Sequence, residues 1–163
     1  MKSIGFRAEK DSINWAVVSV EGEDAVIEEH GEIRAPKAYS TDSEILGYFR
    51  AKVRETIGRY SPVAAGIRYP ETGGKAPRYL ASAYARCRVE GVIAEVVGAE
   101  GIRLVCGALN TLGAELGSSS AKAYLDPQAE SVRGVEFKMK SPTHREAVLV
   151  AVAALEASRG NRN

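Results

Sequence analysis

Residues 41–67 read TDSEILGYFRAKVRETIGRYSPVAAGI, and this stretch decides the fold class. Its first part predicts a helix. Thr41 and Glu44 have the spacing of a capping box, in which each side chain satisfies a free backbone donor at the helix start. Ile45, Leu46, Phe49, Val53 and Ile57 then recur at helical intervals through Arg59. Ser61-Pro62 ends the helix. Val63–Ile67 follows without a polar side chain, bounded by Pro62 and Pro70. Such a uniform run fits a parallel strand buried on both faces between layers of helix.

Upstream of this unit the chain reads as strands. Ser3–Ala8 is a short run with an apolar centre, and Ile13–Val20 (INWAVVSV) is rich in β-branched and aromatic residues. Turn residues 21–24 separate it from Ala25–Ile33, a more polar strand that suits a sheet edge. Three strands with short connections predict an antiparallel meander. Downstream, Pro70–Pro77 (PETGGKAP) is a loop with Gly73-Gly74 as its flexible point. A second helix is expected from about Arg78 to Val97, with Leu80, Tyr84, Cys87 and Gly91 down one face. Ile102–Cys106 (IRLVC) is a second buried strand, and Asn110–Leu116 a short helix. Gly117–Lys140 has no sustained periodicity and is expected as a loop or mobile excursion. Ser141-Pro142 opens the last helix, whose small residues Ala147, Val150, Ala151 and Ala154 suit close packing on a sheet; residues 159–163 are expected to fray. No stretch repeats another. The order β-β-β-α-β-α-β-(α)-α predicts a mixed α/β domain over residues 1–163.

The 163 residues include 22 Lys+Arg and 21 Asp+Glu, for a net charge of +1, so overall charge supplies no pull toward nucleic acid or an anionic membrane. With 45% hydrophobic residues the chain is not of disordered composition. Cys87 and Cys106 lack metal-ligand spacing and read as buried free thiols, which suits a reducing cytoplasm. Lys2 and Arg7 interrupt the start before an apolar run develops, so no secretory signal is expected. Ala147–Leu155 is too short to span a bilayer. Gly73-Gly74-Lys75 lacks the spacing and the hydroxyl of a phosphate-binding loop, and Ser118-Ser119-Ser120 has no nucleophile elbow around it. His30 and His144 are expected to be exposed, and Trp15 to pack rather than to stack on a base.

Four stretches carry a family resemblance: Ser3-Ile4-Gly5-Phe6-Arg7, Arg88-Val89-Glu90-Gly91-Val92-Ile93, Cys106-Gly107-Ala108 and His144-Arg145-Glu146-Ala147-Val148. Together with the element order, they make the chain resemble the ribonuclease H-like superfamily and, within it, the RuvC-type Holliday-junction resolvases. It is also similar to a small group of bacterial proteins of that superfamily. The resemblance implies a five-stranded mixed sheet in the order 3-2-1-4-5 with helices on both faces. It also implies phosphodiester cleavage by two divalent cations about 4 Å apart, held by converging carboxylates. Carried over position by position, the first-strand acid falls on Arg7 and the fourth-strand acid on Arg68 or Tyr69. The first acid of the last helix falls on Thr143, and only Glu146 keeps a carboxylate.

A guanidinium where a dication should sit replaces attraction with repulsion, whereas Arg7 or Arg68 in that position pairs with Glu146. The leading expectation is therefore a degenerate metal site without a cofactor, on a binding or assembly module. Arg7, Arg68 and Lys75, with Arg78, would form a basic cleft for nucleic acid or another anionic ligand at the carboxyl edge of the sheet. A plain structural reading places the same arginines in an ion-pair network with Glu146. The alternative function is a Mg- or Mn-dependent nuclease with Glu146 as its catalytic acid. It would rebuild a cation site from Glu9, Glu71 and Glu146; Glu9, Asp11 and Glu71 otherwise read as solvated loop charges. A homodimer is expected through the Ala25–Ile33 edge or the helix after Thr41.

Overall fold

Alternation along the first strand creates two unlike faces. In the computed structural model, which describes residues 1–22, 24–71 and 80–160, β1 (Lys2–Ala8) turns Ile4, Phe6 and Ala8 into one core. Ser3, Gly5 and Arg7 take the opposite parity. β2 (Ser12–Glu21) and β3 (Asp24–Arg34) continue as an antiparallel meander, with a register shift between Val17 and Val18. β4 (Ala64–Arg68) and β5 (Arg103–Gly107) add in parallel on the other side of β1. The sheet order is β3-β2-β1-β4-β5, as the resemblance implies.

One face is covered by α1 (Asp42–Tyr60) and α2 (Leu80–Ala99). The capping box forms: Glu44 N donates to Thr41 Oγ1 at 3.3 Å, and Thr41 N to Glu44 Oε2 at 3.0 Å. The helix ends with Ser61 in the left-handed region, its N–H on Ile57 O at 2.8 Å, before Pro62. Phe49, Val53 and Ile57 pack on the sheet. α2 corrects the sequence reading. Its buried stripe is Val89, Ile93, Val96 and Val97, while Leu80, Tyr84, Cys87 and Gly91 face solvent. The helix carries apolar residues on two opposite sides, and the side with the β-branched bulk went to the sheet. Cys87 is accordingly an exposed thiol and Cys106 only half-buried, contrary to the expectation that both are enclosed.

The other face is covered by α4 (Pro142–Gly160), buried at every residue from Ala147 to Leu155. A helix apolar all round must be enclosed all round. The sheet encloses one side. The other is covered by α3 (Leu109–Glu115), a 3-10 turn at Ala121–Leu125 and a hairpin of β6 (Ser131–Val132) and β7 (Val135–Glu136). The stretch expected as a loop or mobile excursion is therefore a cover: Ala121, Val132 and Val135 are fully buried in the α4 core. α4 runs through Gly160, and residues 161–163 lie outside the described set. Among the described residues, no helix is long and apolar enough to cross a membrane.

Two facing glycines set how closely α4 approaches. Gly5 and Gly66 are register partners on β1 and β4. A Cβ on Gly5 would stand 2.0 Å from Ala147 O, and one on Gly66 2.2 Å from Val150 O. Ser3 Oγ, two residues earlier, donates to Ala151 O at 2.7 Å. Gly5→Ala and Gly66→Ala must each push α4 off the sheet. Each is expected to cost about 3 kcal/mol, read as a lower denaturant midpoint.

Candidate functional site

The same parity that aims Gly5 and Gly66 at α4 aims the next residues of their face, Arg7 and Arg68, just beyond it. Both strands carry the pattern Gly-apolar-Arg, as Gly5-Phe6-Arg7 and Gly66-Ile67-Arg68. Because α4 lies on the glycine rung, Glu146, immediately before Ala147, is held over both arginines. Arg7 Nε donates to Glu146 Oε2, and Arg7 Nη1 to Ala8 O. Arg68 Nε lies 3.3 Å from the same Glu146 Oε2, close enough for an ion pair but without the alignment of a hydrogen bond. Arg68 Nη1 donates to Tyr69 O. Arg68 is 7% exposed, and the side chains of Arg7 and Glu146 are 13% and 15% exposed.

Two further ion pairs complete the cluster. Glu71 Oε1 is 3.5 Å from Arg68 Nη2 and accepts from Leu109 N at 2.9 Å. It thereby caps α3, whose own N-cap, Ala108, has no side-chain acceptor. Glu71 is thus engaged by two partners while still exposed to solvent, as expected of a loop charge. On α2, Arg86 Nε donates to Glu90 Oε1 at 2.6 Å, and Arg86 Nη2 to Arg68 O at 2.8 Å. Burial pushes the Glu90 carboxyl above its ordinary range, with Arg86 pulling against that shift. Burial also lowers the Arg86 guanidinium, helped by the positive charge of Arg7. Arg86 and Glu90 carry no role in the sequence reading, yet a signal was present. Arg86, Glu90, Ile93 and Val97 share one helical stripe, so two charges stand on an otherwise apolar side and require each other.

The remaining candidates are dispersed. Glu9 keeps to its own turn, where its Oε2 accepts from Ser12 Oγ at 3.4 Å, and Asp11 is exposed. Thr143, at the position of the family's first last-helix acid, is 3.0 Å from the Ser141 hydroxyl. Tyr69, the other candidate for the fourth-strand acid, has its phenol pushed well up by burial. Lys75 and Arg78 lie outside the described residues. Trp15 packs at 5.6 Å from the Tyr60 ring, as expected. His144 is half-buried rather than exposed, edge-on to His30 with ring centroids 5.3 Å apart.

No family model matches the chain, and no curated protein matches its sequence. Solved structures do match. Thermus thermophilus RuvC superposes with a TM-score of 0.76 at 17% identity, over 99% of this chain and 97% of that one. The fold is RNase H-like, of the RuvC type. T. thermophilus RuvC in complex with a Holliday junction substrate matches at 0.74 and 16% identity, over 98% and 96%. The yeast mitochondrial Holliday junction resolvase Ydc2 matches at 0.60 and 11% identity, over 94% and 78%.

The described residues at this edge do not fit the pair of cations that a RuvC-type nuclease implies. No three His, Cys, Asp or Glu side chains among them stand together as a ligand set. Glu146 and Glu71 already face Arg7 and Arg68, so these four charges sum to zero and leave no net negative field for a dication.

Two outcomes test this geometry. Glu146→Ala strands two largely buried guanidinium groups and is expected to cost about 3 kcal/mol, read by chemical denaturation. Burial, with His30 beside it, holds the His144 imidazole below its ordinary value. The unfolded chain then takes up a proton on His144 more readily than the folded one. Stability from this group is complete above about pH 6.5 and falls as pH drops toward the folded value. His144→Gln is expected to remove that part of the slope between pH 7.5 and 5, leaving the rest of the profile unchanged.

Proposed function

We propose that this chain is a nucleic-acid-binding protein of the RuvC-type fold that binds without cutting, its metal pair replaced by arginines. The observation that carries this reading is the convergence of Arg7 and Arg68 on the single carboxylate of Glu146. At 4 Å and an effective dielectric of about 20, each guanidinium repels a dication by roughly 8 kcal/mol. Glu146 and Glu71 offset that repulsion but leave no net attraction for a dication. A phosphodiester meets the opposite situation, because guanidinium forks suit its oxygens and exchange a carboxylate partner for a phosphate one. The Holliday junction held by T. thermophilus RuvC supports nucleic acid as the class of partner. The position of Arg7 and Arg68 at the carboxyl ends of β1 and β4 agrees, since open α/β sheets receive ligands there. Two free thiols, Cys87 and Cys106, support a reducing, cytoplasmic setting.

The test pairs binding with metal response. Fluorescence anisotropy with a labelled four-way DNA junction in EDTA is expected to show binding that weakens steeply with salt and is reduced in Arg7→Gln and Arg68→Gln. Manganese is expected to leave the unfolding temperature of the wild type unchanged. A bound ion at a hundredfold excess over its Kd would add about 2.7 kcal/mol of stability. Junction cleavage that requires Mg or Mn and disappears in Glu146→Ala would overturn the proposal and establish the nuclease. Failure to bind junction, duplex or single strands would also overturn it.

A further inference from the structure

The first turn of α4 faces two ways. Glu146 turns to β1 and β4, where Arg7 and Arg68 meet it. His144, two residues earlier, turns to the edge strand β3 and meets His30, with ring centroids 5.3 Å apart and planes at 74°. The sheet register explains the meeting. His30 is the partner of Ala16 on β2, and Ala16 belongs to the core under α4, so His30 stands on the face that α4 covers. His30 is exposed and His144 half-buried, so the pair is reached from solvent.

The chain has two histidines, and the fold brings both together from distant parts of the sequence. As a packing contact the pair is a poor choice. His30 opposes the charged form of His144, and two apolar rings would fill the same space without that cost. What two imidazoles offer beyond packing is a pair of nitrogen lone pairs, the commonest metal-binding groups among side chains.

We propose that His30 and His144 bind one transition-metal dication of the zinc class, which ties β3 to the first turn of α4. Two imidazoles on a tetrahedral ion, with metal–nitrogen bonds of about 2.0–2.1 Å, have ring centres roughly 5 Å apart. His30 and His144 already stand at that spacing, and turns about their side-chain bonds bring one nitrogen of each to a common point. The Gly31 carbonyl faces the His144 ring, in the role of the acceptor that metal-bound histidines ordinarily have for their other N–H. Glu32, two residues along β3, adds negative charge beside the pair while Arg34 Nη2 holds its Oε1 at 2.6 Å. Water completes the coordination, since no third side chain of ligand type among the described residues joins the two. This site is unlike the cation pair of a RuvC-type nuclease: it takes one ion on nitrogen ligands, at β3 rather than at β1 and β4. It is independent of whether the sheet edge binds nucleic acid.

Thermal unfolding across a zinc titration tests the proposal, in a Cys87→Ser background that removes the exposed thiol as a competing ligand. The midpoint is expected to rise with zinc and to keep rising with the logarithm of the free ion. Calorimetry is expected to count one zinc per chain. Both effects are expected to vanish in His30→Gln and in His144→Gln. Magnesium, which prefers oxygen ligands, and manganese, at the weak end of the divalent series, are expected to leave the midpoint unchanged. His30→Gln alters an exposed side chain and decides the question alone if His144→Gln fails to fold. No rise with zinc would overturn the proposal. So would a rise retained in His30→Gln, or an equal rise with magnesium.

Discussion

The contact of α4 with the glycine pair Gly5 and Gly66 governs both the core and the site. Without side chains on that rung, the helix backbone rests on the strands, with Ala147 O and Val150 O where the missing Cβ atoms would be. Its whole circumference must then be apolar, because the sheet is too close to admit anything polar on one side. The segment 109–137 closes over the other. The approach also decides electrostatics. It brings the first turn of α4 over the ends of β1 and β4, so the residue before Ala147 meets whatever those strands present two positions past their glycines.

What they present is charge of one sign, and the carboxylate between them is the cheapest compensation. A guanidinium with 7% exposure, such as Arg68, is untenable without a nearby anion. Here Glu146 is shared, Glu71 reaches back from beyond β4, and the Arg68 carbonyl is held by Arg86, itself paired to Glu90. The network ties β1, β4, α2 and α4 together at one edge. Such a network stabilises only as a closed set, because removal of any member exposes the desolvation cost of the others. Both the plain structural reading of the arginines and the anion-binding one therefore start from the same geometry. A phosphate at this edge must take a place now held by a carboxylate.

Much of this was legible in the sequence. The capping box at Thr41 and Glu44 and the uniform run before Pro70 announced a helix feeding a buried parallel strand, because each rests on local chemistry that no distant contact had to supply. The pairing of Arg7 and Arg68 with Glu146 was legible through the family resemblance, which put the three positions at one edge, where opposite charges pair. Two features were not. α2 offered two apolar sides, and periodicity cannot say which faces a sheet; the choice of Val89, Ile93 and Val97 over Leu80 and Tyr84 was made by bulk against β1 and β4. The cover over α4 had no periodicity because its elements are two to seven residues long. Its existence was nevertheless implied by the nine apolar residues from Ala147 to Leu155, which one sheet cannot enclose.

The two helical layers have opposite characters, and this explains how one small fold can present two kinds of surface. α4 spends every apolar residue inside and leaves only its first turn for chemistry, where Glu146 and His144 stand. α1 and α2 bury one stripe each and fasten to each other through exposed pairs, Arg50 with Glu95 and Arg54 with Glu100. Exposed pairs of this kind contribute little stability, but they gather the charges into the seam between the helices. The outer side of α2 is left without charge as a consequence. The charged sheet edge and the uncharged helix face thus follow from one distribution of ion pairs, drawn inward at the strand ends and sideways between the helices.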